Sequence, residues 1–335
     1  MSDAGTGTGD GELALLVGEV RTALLRHSGA VSEPVAQEIL DLVPAAAVRS
    51  ATRPSARAVS PDIVEGVHCR LPSGTGRRVE GVGTVVSRAV IAGGRIAQAS
   101  SRALVVPAAG TRRRGWAAYL ARRGVIERIG RGSADDLSAG FLGPRRPGTI
   151  DLDAVAGRLL DRVQAAPALD GAVPLRAART RFRFVIDLAD RAETVTPAPP
   201  RFSLDDDNVR TLILDAPRGG PEALVTLCED IACHDWLLTV VQGLVDTLDE
   251  APGRVDRMAR MARVSPAIEQ LLHLWMPCAH LEPDLRWVWS ALEGRPGFSR
   301  QWASIVDRIR NEQMGSILRA VTGDGWRNGS GAAAD

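Results

Sequence analysis

Two strand-forming runs, TVVSRAVIA and RIAQASSRALVV, flank Gly93-Gly94 inside the segment Gly83–Val106. Glycine supplies the positive φ that a tight hairpin turn needs, so this stretch reads as a β-hairpin. A fold built on this chain must therefore accommodate a long paired ribbon in its N-terminal half.

Other segments extend that frame. Leu13–Leu25 (LALLVGEVRTALL) predicts an apolar strand, with Gly18 as a point of interruption. Arg179–Asp187 alternates Arg with Thr180, Phe182, Phe184 and Ile186, the pattern of a half-buried strand. Val209–Leu214 predicts a further strand, expected antiparallel to the previous one, with Thr194–Asp207 as the loop between them. Ser32–Val43 reads as a helix with Ser32 as cap and Pro34 in the first turn. Asp151–Ala166 reads as a longer one. After Pro217 only helical periodicity remains. Leu224, Leu227, Ile231, Leu238, Val241 and Val245 recur every three or four residues. Further helices are expected over Arg254–Arg263, Pro266–Met276, Pro283–Leu292 and Ser299–Val321. The expected fold class is α+β. It comprises an N-terminal mixed α/β part with an antiparallel hairpin sheet over residues 13–216 and an all-α helical C-terminal part over 217–322. Disordered tails are expected at 1–12 and 323–335.

Composition narrows the chemistry. All 41 basic residues among the 335 are Arg; Lys does not occur. The absence of Lys removes a Walker A phosphate site and any Schiff-base mechanism. No apolar run approaches the ~18 residues that span a membrane. Four cysteines without an export signal suggest reduced thiols in a cytoplasmic protein. The net charge of +1 hides a polarity. Arg49–Arg146 holds 18 Arg against six acids, and Ser203–Asp335 holds 13 Arg against 20 acids. Opposed charges of this kind can dock the two parts on each other or recruit partners of opposite sign.

The densest chemical segment is Cys228–Trp236, CEDIACHDW. His234-Asp235 is the doublet with which HD-type phosphohydrolases ligate a divalent ion, whose bound water then attacks. No second His lies between His68 and His234 to complete such a site, and a hydrogen-bonded core histidine explains His234 equally well. Cys228, Cys233, Cys278 and His280 are the candidate ligands of a tetrahedral zinc site. On one helix, however, C-x4-C turns its two sulfurs ~140° apart. No other cofactor is implied. Arg112, Arg113, Arg114, Arg122 and Arg123 are candidate phosphate or nucleic-acid contacts. Six of the seven Trp follow residue 217, and Trp287, Trp289 and Trp302 are candidate interface residues. The motifs G-x-S-x-G, H-E-x-x-H and C-x-x-C are absent.

Three segments together, LLVGEVRTALLRHS, GVGTVVSRAVIAGGRIAQASSRALVV and CHDWLLT, resemble an uncharacterised actinobacterial protein family. That family is encoded in a small gene cassette beside a variant P-loop protein. The resemblance implies no activity, cofactor or site; it implies a cytoplasmic component that works with cassette partners. The function expected from the sequence is non-enzymatic: an interaction or adaptor component of a multi-protein bacterial system. A protein partner or self-association is expected, with nucleic acid as the other partner class and no membrane. The alternatives are an HD-like metal-dependent hydrolase and a phosphate or nucleic-acid binder.

Overall fold

A computed structural model describes residues 14–108, 110, 113–173, 175–188, 198–206, 208–216, 220–249 and 254–329. Its centre is a ten-stranded mixed sheet. The strands are β1 Leu15–Leu24, β2 Arg49–Ala51, β3 Arg57–Val59, β4 Ile63–Leu71 and β5 Val79–Ala92. The remainder are β6 Ile96–Pro107, β7 Val125–Ile129, β8 Thr180–Asp187, β9 Arg201–Leu204 and β10 Val209–Asp215. They lie in the order β2-β3-β5-β7-β6-β1-β8-β10-β9, with β4 following β3 along the same edge of β5.

The hairpin expected around Gly93-Gly94 is β5–β6, paired from Ala92↔Ile96 to Val86↔Arg102. Gly93 and Gly94 have φ of 57° and 63°, and Arg95 N–H closes the turn onto Ala92 C=O at 3.0 Å. Beyond Val86 the ribbon forks. β7 enters the fork, antiparallel to β5 and parallel to β6. Gly83 lets it in: a Cβ there would lie 2.0 Å from the Val125 carbonyl oxygen.

The antiparallel hairpin sheet expected from the sequence is thus corrected to a mixed one. β10 also runs parallel to β8 rather than antiparallel. The cause is β9, which sits inside the segment read as a loop. It forms a short edge hairpin with β10, so the chain has already reversed when β10 begins.

Both faces of the sheet are covered, which is why β1 reads as continuously apolar. Leu16 and Val20 face one side; Leu15 and Val17 face the other. On the second side lie α1 Glu33–Leu40, α3 Ala134–Leu142 and α4 Leu152–Gln164. The N-cap side chains Ser133 and Asp151 hold the first turns of α3 and α4. On the first side lies α5, Pro221–Asp249, with apolar residues on all its flanks because it is sandwiched, and with a few buried polar side chains among them. Beyond it pack α6 Arg254–Leu272, α7 Arg286–Gly294 and α8 Phe298–Gly329. Two helices expected within 254–276 are one, with Pro266 inside it. α8 continues to Gly329, into the stretch expected to be a disordered tail. The helical segment and the sheet share one core, in which Phe182, Phe184 and Leu212 meet Leu227, Ile231 and Trp236. Among the described residues no helix is long and apolar enough to cross a membrane.

Candidate functional site

α5 carries the residues singled out from the sequence and sends them in different directions. Glu229 faces the sheet and is fully buried. Arg88 donates to it from Nε and Nη2, both at 2.7 Å, Arg57 Nη2 at 2.8 Å and Ser100 Oγ at 2.7 Å. Burial alone would raise the Glu229 pKa, but the Arg88 charge and hydrogen bonds, then Arg57 and Ser100, bring it to about 2. Arg88 and Arg102 also reach Glu222 one helical stretch earlier, and Arg102 lies 3.3 Å from Asp62. The basic middle and the acidic helical segment therefore dock on each other, through β3, β5 and β6 beneath α5.

His234 and Asp235 diverge, as neighbours on a helix must at ~100° per residue. His234 Nδ1–H donates to the Asp230 carbonyl at 2.7 Å, and its buried Nε2 has no hydrogen-bond partner among the described residues. The ring stands edge-on to Trp275 and Trp289, at centroid distances of 5.0 and 5.4 Å. Asp235 faces away, toward Arg210, whose Nε lies at 2.8 Å. Burial outweighs that pairing and raises the Asp235 carboxyl to about 6. Asp235 borders an open groove of about 450 Å3 between β9–β10 and α8. His234 borders a separate small cavity of about 30 Å3, with Arg57, Asp230, Cys233 and His280 among its walls. The doublet does not converge on one point.

The proposed zinc ligands are partly gathered. Cys233 and His280 share the His234 cavity, and the Cys278 N–H donates to Asp230 Oδ2 at 3.2 Å beside it. Cys228 does not line it. His280 Nε2 is 3.0 Å from Ser55 Oγ. Burial pushes the thiols up: Cys278 to about 11, Cys233 to about 12, and Cys228 well above the ordinary range. Among the described residues no three His, Cys, Asp or Glu side chains are placed to hold a metal ion.

The Trp expectation is corrected. Trp289 and Trp302 are buried in the core, with Trp302 stacked on Trp275 at 4.4 Å and Trp289 on Phe298 at 5.4 Å. Trp287 is half-buried against the same core. Their spacing encoded packing.

Trp116 behaves differently. Trp116 and Leu120, one helical turn apart on α2 (Trp116–Leu120), are 50% and 52% exposed. Between them Tyr119 is buried and accepts the Arg114 N–H at 3.2 Å. Thr84 Oγ1 donates to Arg122 C=O and accepts the Gly124 N–H, each at 2.8 Å, so the end of α2 is tied to β5. The exposed pair is thus held in place, and both side chains stand beside Gly66 of β4.

Arg113, Arg114, Arg122 and Arg123 surround this surface, all exposed. Arg113 bonds Glu80 and His68 Nε2, each at 2.9 Å. Arg122 reaches Glu127 at 2.6 Å, and Arg114 lies 3.6 Å from it. Arg112 lies outside the described residues. Composition hid this surface because a single Trp in a basic segment carries no periodic signal; the i, i+4 spacing of Trp116 and Leu120 was the available clue.

No family model, curated protein or solved structure matches the chain.

Proposed function

We propose that the protein is a non-enzymatic interaction component, an adaptor that holds a protein partner at the β4–α2 surface within a multi-protein bacterial system. The observation carrying this reading is the placement of Trp116 and Leu120. They form one apolar face, fixed by the buried Tyr119, beside an edge strand. Edge strands are ordinarily covered or charged to prevent association, and Trp is enriched where partners bind. A hydrolase centred on His234-Asp235 has less support, because its two side chains line separate cavities. A phosphate or nucleic-acid site has less support because Arg113 and Arg122 already engage Glu80 and Glu127.

The test is site-specific photocrosslinking in native lysate. A benzophenone side chain at position 120 should capture one defined protein. The same group at Val173, 64% exposed and remote from α2 in sequence, should not. Equal, diffuse labelling from both positions would overturn the reading.

A further inference from the structure

We infer that the outer edge of β4 takes up an extended acidic–apolar peptide segment of the partner as an added strand. This inference rests on the adaptor reading and names the chemistry of what is bound.

The direction of each backbone group in β4 follows from its register. Ser60 N–H donates to Ala89 C=O at 2.9 Å, so Ala89 points its polar groups toward the β3–β4 side of β5. Alternation along β5 then turns Ser87, Val85, Gly83 and Gly81 the same way. Their partners in β4 are Ile63, Glu65, Val67 and Cys69. The intervening residues, Val64, Gly66, His68 and Arg70, must point outward. Arg70 confirms the parity, because its carbonyl accepts the Ile150 N–H at 3.0 Å from outside β5. That bond closes one end of the edge. Val64, Gly66 and His68 present their N–H and C=O groups without a backbone partner among the described residues. Such a row is the template for β-augmentation.

The side chains around the edge specify the occupant. Val64, Gly66 and His68 share a face of the sheet, and α2 stands on that face. Gly66 lets Leu120 and Trp116 settle directly onto the strand: a Cβ there would lie 3.3 Å from Leu120 Cδ2 and 3.5 Å from the Trp116 ring. An added strand would set alternate side chains against this apolar wall. The charges nearby are mostly Arg: Arg70, Arg113, Arg114, Arg122 and Arg123 outnumber Glu65, Glu80 and Glu127, so a positive excess remains after Arg113 and Arg122 have paired with Glu80 and Glu127. Charge complementarity therefore calls for carboxylates between the apolar positions.

The probe is the fluorescein-labelled heptapeptide Glu-Val-Glu-Val-Glu-Val-Glu, titrated against the whole protein by anisotropy. Saturable binding is expected, with the Lys-Val counterpart weaker by at least about tenfold. His68→Pro deletes one outward N–H and leaves the β4–β5 ladder intact, because proline is tolerated where the N–H of an edge strand faces solvent. It should weaken binding by at least about tenfold, whereas His68→Ala, which keeps the N–H, should stay within about threefold. Should His68→Pro unfold the protein, hydrogen exchange decides on the unmodified chain: the peptide should slow the amides of Val64, Gly66 and His68. Equal loss in both variants, no slowing of those amides, or tighter binding of a thymidine oligonucleotide at the same surface would overturn the inference. So would a dimer in solution that His68→Pro dissociates, since the edge would then belong to a second copy. If the peptide fails while Leu120 still crosslinks one protein, the edge inference falls and the adaptor reading stands.

Discussion

Arg88 grips Glu229 with two hydrogen bonds, its Nε and Nη2 each 2.7 Å from a different carboxylate oxygen, at a site where the arginine is 2% and the glutamate 0% exposed. The pair ties α5 to the hairpin strand β5 across 141 residues of sequence. Both side chains are buried, so removing the carboxylate leaves guanidinium charge in the core without its main counter-ion.

Glu229→Ala should therefore destabilise the protein by about 3–5 kcal/mol, more than a lost hydrogen bond, because Arg57 would lose its carboxylate and Arg88 would keep only its contact with the more exposed Glu222. Urea unfolding of the wild type, Glu229→Ala, Arg88→Ala and the double variant measures it. The double variant should lose less than the sum of the singles. Strict additivity would show that the pair is not coupled.

Acid should act on α5 in two opposing ways. Glu229 is held at about 2 when folded, against an ordinary 4.5, so its contribution is present above pH 4.5 and is lost as pH falls toward 2. Asp235 is raised from 3.8 to about 6, so the folded state binds its proton more tightly. Its contribution is full below pH 3.8 and is lost as pH rises through about 6. Stability measured in urea from pH 2 to 8 should rise with pH over the Glu229 window. Asp235→Asn should abolish the fall between pH 4 and 6; a fall of unchanged size in that variant would assign it to another group.

The cysteines should divide by burial. In native protein at pH 8, Cys228 and Cys233 should resist a thiol-specific aromatic disulfide reagent, because they are buried and their thiols are pushed far above the pH. Cys69 and Cys278 are half-buried and should react slowly, and all four should react at once in denaturant. Rapid native modification of Cys233 would show that the His234 cavity opens in solution.

Gly83→Ala should destabilise the protein by about 1–3 kcal/mol or more, since the new methyl would overlap the Val125 carbonyl and push β7 out of the fork. Thermal unfolding gives the magnitude. Hydrogen exchange should show the loss of protection concentrated in Val125–Ile129; an even loss across the sheet would contradict the fork as its origin.

Local pattern carried much of this fold. Gly93-Gly94 marked the hairpin turn because two positive-φ residues have few other uses. The alternation in Arg179–Asp187 marked β8, and the three- and four-residue spacing after Pro217 marked α5. β9 escaped because four residues behind a proline-rich stretch give no period to count. The direction of β10 escaped with it.

The chemistry was less legible. Arg88 and Arg102 sit within strand runs that are otherwise apolar or small, a sign that each needs a buried acid. Nothing local named Glu222 and Glu229 as those acids, because the partners come from strands more than a hundred residues away. His234-Asp235 looked like a unit because its members are adjacent, yet helical geometry alone separates them.

By itself, then, the sequence determined where the strongly periodic strands and helices form, and by lacking lysine it removed whole reaction classes. Those are consequences of periodicity, turn stereochemistry and side-chain inventory, which act over a few residues. Only the tertiary structure decided that the opposed charges meet beneath α5, that Trp289 and Trp302 are core, and that Trp116 and Leu120 stand by an open edge. Those outcomes depend on which surfaces exclude water together, and burial is a property of the assembled sheet and helices.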